Sequence, residues 1–267
     1  MLNVLFWNLR RNSIEDYIVE CIAENDIDVA VFAEYENIDF LSIENKLGKM
    51  YKRISGVRAD KKVSMIARKT INITVRQQQH RYNIYSIKTG VKDYVLAAVH
   101  LEDRRNYKTA DRNATIQRLV GDIEKTECLL ECDNAMVIGD FNANPYDEEL
   151  ISKYAFNAVL FKSVINKGEF TNPNSLKRKR FYNPILHYIS EDTGMYGSFY
   201  YEQDYMTPYW HCLDQILVRK SLVNSVVGVK YLNKINTIDL LGDVSPVQEI
   251  SDHLPLMVCL KEVGNGI

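Results

Sequence analysis

Short apolar runs alternate with polar stretches along this chain, and their spacing predicts its elements. Residues 2–7 form a mostly apolar run that reads as a buried strand. Ser13 with Asp16 three residues on predicts a capping box. It would open a helix whose apolar positions Ile14, Tyr17, Ile18, Cys21 and Ile22 fall at helical spacing. Asn25-Asp26 ends it. Residues 28–33 are almost wholly apolar, as in a strand buried on both faces. Strand, helix and strand in this order predict an opening βαβ unit. Runs at 63–67, 71–75, 82–87 and 94–99 have few helix signals between them and predict hairpins. Thr109–Leu130 reads as a long helix with Ile116, Leu119, Val120, Ile123 and Leu130 on one side. A short buried strand at 135–138 and a short helix at 147–153 follow. The last strands are predicted at 213–218, 226–232 and Leu256–Leu260.

The residues at the edges of these runs carry the chemistry. Asn8 closes the first run, Glu34 the second and His100 the run at 94–99. Gly139-Asp140-Phe141-Asn142 follows the run at 135–138, Asp214 opens another, and Ser251-Asp252-His253 precedes the last. Strand ends are where ligands sit in open α/β sheets. Gathered carboxylates repel one another and call for a cation, and an oxygen-rich set suits Mg²⁺ or Mn²⁺ rather than zinc. Asp140 and Asn142 lie two apart, so extended geometry would point both to one side, with Phe141 turned into the core. One would take a proton while the other donates to a phosphoryl oxygen. Turn formation is the competing reading, since Gly, Asp, Asn and Pro all favour turns. Asp252 offers a metal carboxylate, and His253 an imidazole that titrates near neutrality. Glu36 competes with Glu34, which is preferred because it abuts the apolar run.

Composition changes this picture little. The 267 residues allow a large core, and 46% hydrophobic with 25% charged residues is ordinary for a globular chain. A formal charge of −2 argues against a broad polybasic platform but leaves room for a local basic groove. Cys21, Cys128, Cys132, Cys212 and Cys259 are scattered and odd in number, which predicts reduced thiols and a cytoplasmic protein. Neither a signal sequence nor a transmembrane run is read.

No internal repeat or linker divides the chain, so residues 1–267 are expected to form a single domain carrying a basic and aromatic insertion at about 166–210. That stretch holds Lys177-Arg178-Lys179-Arg180 and a cluster of aromatics that includes Trp210, with one hairpin expected at 197–202. Cations that meet phosphates and rings that stack on bases make Lys177, Arg178, Lys179, Arg180 and Trp210 the expected substrate-binding residues. Arg104, Arg105, Lys108 and Arg112 are expected to extend a basic rim. A solvated basic face over Tyr-rich strands is the alternative.

Together these pieces resemble the endonuclease/exonuclease/phosphatase superfamily, which is deoxyribonuclease I-like. Trp7-Asn8, the run ending at Glu34, Val99-His100-Leu101, Gly139-Asp140-Phe141-Asn142, the stretch from Leu213 to Leu217, and Ser251-Asp252-His253 come in the family's order. The resemblance implies a four-layer α/β sandwich of two packed mixed sheets flanked by helices. It also implies a divalent metal, Mg²⁺ or Mn²⁺. By resemblance, Glu34 is the principal metal ligand, with Asn8 beside it and Asp252 as a further metal or water carboxylate. Asp140 orients or deprotonates the attacking water, and Asn142 orients phosphate. His253, paired with Asp214, is the transition-state donor, and His100 matches a histidine of the deoxyribonuclease, deadenylase and sphingomyelinase branches.

Departures narrow the substrate. Glu34 is followed by Tyr35-Glu36-Asn37, not the Thr-Lys of apurinic endonucleases, and the basic motifs of phosphoinositide phosphatases are absent. The carboxylate partner of His100 is not assigned. The leading expectation is a nuclease that hydrolyses DNA or RNA by in-line attack of a positioned water, with nucleic acid as substrate and neither membrane nor stable protein partner. A phosphoesterase for a small-molecule or lipid phosphate is the alternative. A non-catalytic nucleic-acid-binding module is the third.

Overall fold

The structure is a computed structural model that describes residues 1–58, 61–167, 178–203 and 207–262. The chain begins with β1 (Leu2–Asn8), α1 (Glu15–Glu24), β2 (Val29–Ala33), α2 (Phe40–Lys46), β3 (Tyr51–Arg53) and β4 (Val63–Arg68). β1 and β2 run parallel with Asn8 opposite Ala33, so the expected βαβ unit forms. Its helix is entered differently. Ile14 is the cap residue and no side chain caps α1. The Ser13 hydroxyl donates instead to the Asn37 carbonyl, tying the helix entry to the loop after β2.

β5 (Asn72–Gln78), β6 (Tyr82–Lys88) and β7 (Asp93–His100) form an antiparallel meander. β4 does not join it. It pairs with β2 and β3, so the chain changes sheets between β4 and β5. α3 (Thr109–Leu130) carries the chain to β8 (Ala135–Asp140), which lies parallel to β7. Then come α4 (Glu148–Ile151), β9 (Ala158–Val159), α5 (Lys162–Ile165), β10 (Phe181–Tyr182) and α6 (Ile185–Tyr188). The chain continues through β11 (Phe199–Tyr201), β12 (Tyr209–His211), β13 (Asp214–Arg219), β14 (Val226–Tyr231), β15 (Lys234–Ile235), β16 (Ile238–Asp239) and β17 (Leu256–Leu260).

The first large sheet has the order β14-β17-β1-β2-β4-β3, and the second β5-β6-β7-β8-β13-β10-β9. Both are mixed, and helices flank them in a four-layer sandwich. Alternation along the strands explains why both faces of the second sheet are covered. Leu96, Ala98, Met136, Ile138 and Ile216 face the core between the sheets. Val95, Ala97, Val99, Val137 and Leu217 face the other way, onto Ile116, Leu119, Val120 and Ile123 of α3. Each of those α3 side chains contributes about 1.5–3 kcal/mol by burial.

The stretch expected as an insertion enters the second sheet. Phe181 and Tyr182 are buried and pair with Arg219 and Val218 of β13. The hairpin expected at 197–202 is instead β11 paired with β12, with Phe199 opposite His211 and Tyr201 opposite Tyr209. Gly197 permits this pairing, since a Cβ there would lie 2.6 Å from the His211 carbonyl oxygen. Among the described residues, no helix is long and apolar enough to cross a membrane.

Candidate active site

Strand register assembles half of the site. His100 lies opposite Asp140 in the parallel β7–β8 pair, and Asp140 lies opposite Asp214 in the antiparallel β8–β13 pair. Directly opposed residues put their side chains on one face about 4.5–5.5 Å apart, so three chemically active side chains form a row. Gly139 makes the row possible. Its φ is 151°, and a Cβ would collide with the Val99 carbonyl of the neighbouring strand.

The first sheet supplies the rest. Asn8 ends β1 and Glu34 follows the last residue of β2 in a left-handed conformation, φ 48°. The Asn8 amide donates to Asp140 Oδ2 at 3.2 Å. The His100 Nε2 lies 3.8 Å from Glu34 Oε1 and 3.8 Å from Asp140 Oδ2. These two carboxylates flank the ring whose partner the sequence does not assign. His253 precedes β17. Its backbone N–H donates to Ser251 Oγ, which itself donates to the Asn8 carbonyl at 2.7 Å. The Trp7 indole donates to the His253 carbonyl at 3.0 Å. Thus anchored, His253 Nδ1 meets Asp214 Oδ2 at 2.7 Å.

Burial and charge set the protonation states. Burial works against a charged His253, but Asp214 in contact, with Asp140 and Asp252 behind it, raises its pKa to about 10. Burial and the neighbouring Asp214 push Asp140 up to about 7, against the pull of His253, the Asn142 N–H and Asn8. Burial, then Arg81, His253, Lys62 and Arg11, push His100 down to about 3, so it is a neutral imidazole near neutral pH.

Other expected residues lie differently. Asn142 is left-handed, φ 47°, not extended. Its backbone N–H donates to Asp140 Oδ1 at 2.8 Å, so a turn brings the two together. The Asn142 side-chain amide donates to the Leu101 carbonyl. Asp252 points to Arg10, 3.7 Å away, and Glu36 is exposed between Arg11 and Lys62. Arg112 does not form a rim. It is buried, with Nη1 2.6 Å from Glu149 and Nη2 donating to the Asn142 carbonyl. Trp210 lies opposite Tyr200, so it is on the other face of the β11–β12 ribbon from Phe199 and His211. Lys177 lies outside the described residues. Arg178, Lys179 and Arg180 immediately precede Phe181, which pairs with Arg219 at the end of β13 remote from Asp214. The strand rise puts that end ~17 Å away. Arg178, Lys179 and Arg180 therefore do not line the catalytic groove.

The ribbon brings residues that sequence reasoning missed. The Phe199 ring centroid is 4.9 Å from that of His253, and Phe199 stacks on Tyr201. Asn144 holds the ribbon in place, its side chain bonded to His211 Nδ1 and to the Cys212 N–H. A cleft of about 170 Å³ opens beside Asn142, lined by Phe199, Tyr201 and His211 together with Arg104, Arg105, Asp103 and Asp147. Aromatic clustering was visible in the sequence, but the pairing that turns Phe199 toward His253 was not.

The donor set fits a hard cation. Ligand-type atoms of Asp140, Asp214 and His253 lie within 4.8 Å of one another. A protonated His253 already bonded to Asp214 cannot ligate, however. Glu34, Asn8 and Asp140 provide oxygen on the other side, and Asp214 Oδ1 is buried without a hydrogen-bond partner. Oxygen donors with clustered negative charge suit Mg²⁺ or Ca²⁺-type ions over thiophilic ones.

Residues 2–253 match the model of the Endonuclease/Exonuclease/phosphatase family. The chain belongs to this family. Its fold is similar to the catalytic domain of human Nocturnin with bound sulfate, at 15% identity and TM-score 0.61 over 98% of this chain and 94% of that one. Truncated Caenorhabditis elegans TDP2 gives 12% identity and TM-score 0.60 over 97% and 96%. The endonuclease domain of TRAS1, a telomere-specific non-LTR retrotransposon, gives 12% and 0.57 over 98% and 99%. No curated protein matches the sequence. As in the Endonuclease/Exonuclease/phosphatase family model, the matched span runs from β1 through His253, so it takes in every member of the cluster.

Proposed function

We propose that this family member is a divalent-metal-dependent phosphodiesterase whose substrate is a nucleic-acid strand. The reading rests on the His253–Asp214 pair at 2.7 Å set beside Asp140, a buried carboxylate whose pKa lies near 7. An acid held protonated next to a base poised near neutrality is the pairing that phosphodiester hydrolysis needs.

Asp140 accepts the proton of the attacking water, and the Asn142 N–H and Asn8 amide fix its carboxylate. His253, protonated through Asp214, presents Nε2–H to the oxygen on which charge builds and to the leaving alkoxide. Neutral His100 donates a hydrogen bond without adding charge. Asn142 keeps one amide hydrogen for a phosphoryl oxygen, the other being given to Leu101. Glu34 and Asn8 would hold Mg²⁺ or Mn²⁺, which supplies Lewis-acid neutralisation of the phosphoryl group.

Nucleic acid is favoured by the cleft beside Asn142, whose lining combines the rings of Phe199 and Tyr201 with Arg105. Arg105 also lies over the Tyr201 ring, 5.7 Å from its centroid. Similar folds include an endonuclease domain and a zebrafish (D. rerio) TDP2 complexed with a single-strand DNA product.

A panel of single- and double-stranded DNA, RNA, and simple phosphodiesters and phosphomonoesters, each with Mg²⁺ and Mn²⁺, tests this. Turnover of an oligonucleotide that Asp140→Asn abolishes is the expected result. Turnover confined to small phosphoesters would overturn the substrate assignment, and equal turnover by Asp140→Asn would overturn the mechanism.

A further inference from the structure

A second cavity, of about 650 Å³, lies at the far end of the second sheet. It is bounded by the end of α5, the approaches to β8 and β10, and the residues at the end of β13. Five cationic side chains line it, Lys167, Lys179, Arg180, Arg219 and Lys220, against one carboxylate, Asp133. On a chain of formal charge −2 this concentration is local and built.

The cations are not equivalent. Arg219 is buried and spent on structure, with Nε 2.6 Å from Glu127 and Nη1 donating to the Lys179 carbonyl. Lys179 is shared between Asp133 at 2.8 Å and Glu127 at 3.4 Å. Arg180 is half-buried and held through Nη1 by the Lys167 carbonyl at 2.8 Å, which leaves the rest of its fork unspent. Among the described residues, Lys167, Arg180 and Lys220 have no carboxylate within ion-pair distance. Like charges collected in a concavity repel, and an anion relieves them.

We propose that this cavity binds a small ligand carrying several phosphate groups, at a site separate from the catalytic cluster. A single carboxylate would match only one of the unpaired cations. A phosphate chain places several charges within a few ångströms and offers oxygens to both a guanidinium fork and lysine ammonium groups. The volume falls in the range of small-molecule pockets, about 300–1,000 Å³, and the site is a concavity rather than an extended track for a polymer. The basic tetrad of the sequence thus serves this site through Lys179 and Arg180. The inference does not depend on the hydrolase reading.

Calorimetric titration of the full chain at low ionic strength, in EDTA, with inorganic triphosphate and then with a nucleoside triphosphate, tests it. Saturable binding that weakens with salt is expected. The double substitution Lys167→Glu with Lys220→Glu should weaken it at least about tenfold, which corresponds to ~1.4 kcal/mol. Arg11→Glu, beside the catalytic cluster, should leave it unchanged. Both lysines are exposed, and Lys167→Gln with Lys220→Gln repeats the test without charge reversal should the first pair fail to fold. Tighter binding of the nucleoside form would identify a nucleotide, and equal binding a bare phosphate chain. Lack of saturable binding, binding unaffected by both lysine pairs, or binding lost in Arg11→Glu would overturn the proposal.

Discussion

His253 and Asp140 divide the site's electrostatics between them. Burial raises Asp140 and Asp214 repels it further, while Asp214 outweighs burial at His253 and holds it cationic. His253→Ala and Asp140→Asn should each lower turnover by at least ~100-fold with metal saturating, the scale for loss of an acid–base or oxyanion group. Steady-state rates on the best oligonucleotide would check this. The same pair links stability to pH. The His253 pKa rises from 6.5 to about 10 on folding, so the folded chain holds that proton more tightly than the unfolded chain. Its stabilisation is full below about pH 6.5 and fades as pH climbs toward 10. The gap in melting temperature between wild type and His253→Gln should therefore narrow across that window, and a constant gap would contradict the ion pair. Gly139→Ala should destabilise by about 2 kcal/mol or more, since its Cβ has no room and its backbone has no low-energy L-residue equivalent. Denaturant unfolding reads that cost directly.

Elements explain why some residues were legible in the sequence and others were not. Asn8, Glu34, His100, Asp140, Asp214 and His253 each terminate or approach an apolar run, and strand ends are fixed by burial, so their gathering could be read. α3 was read to its boundaries because one long helix face is buried against one sheet. The start of α1 was misread because Ser13 bonds to a loop distant in sequence. β9, β10, β11 and β12 span two or three residues each, too short for periodicity to show, and they decide where Lys179, Arg180 and the aromatic ribbon go. Arg112 looked like a surface cation. It is the strut between α3 and the loop after β8, buried with Glu149 at 2.6 Å. Arg112→Met should cost up to about 3 kcal/mol, since Glu149 keeps only the exposed Arg104, at 2.9 Å, and the Glu102 and Asn142 carbonyls lose their donor. Chemical denaturation of Arg112→Met and of the double variant with Glu149→Leu would show it, the double variant recovering much of the loss.

On the scale of the whole molecule, negative charge accumulates where the two sheets meet, and a bound cation should act as a stabilising ligand. Mg²⁺ or Mn²⁺ at a hundred times its dissociation constant should add about 2.7 kcal/mol. Thermal melts with and without EDTA would show the shift in wild type, and Glu34→Gln should lose most of it.

The hydrogen-bond ladders hold His100, Asp140 and Asp214 within one sheet, while Asn8, Glu34 and His253 hang from the other. Among the described residues no ladder crosses between them, only packed side chains and a few bonds such as His253 to Asp214 and Asn8 to Asp140. A slight shear of one layer over the other would part acid from base while every strand stayed intact. Catalysis should accordingly fall silent at denaturant concentrations that leave the circular dichroism of the chain untouched.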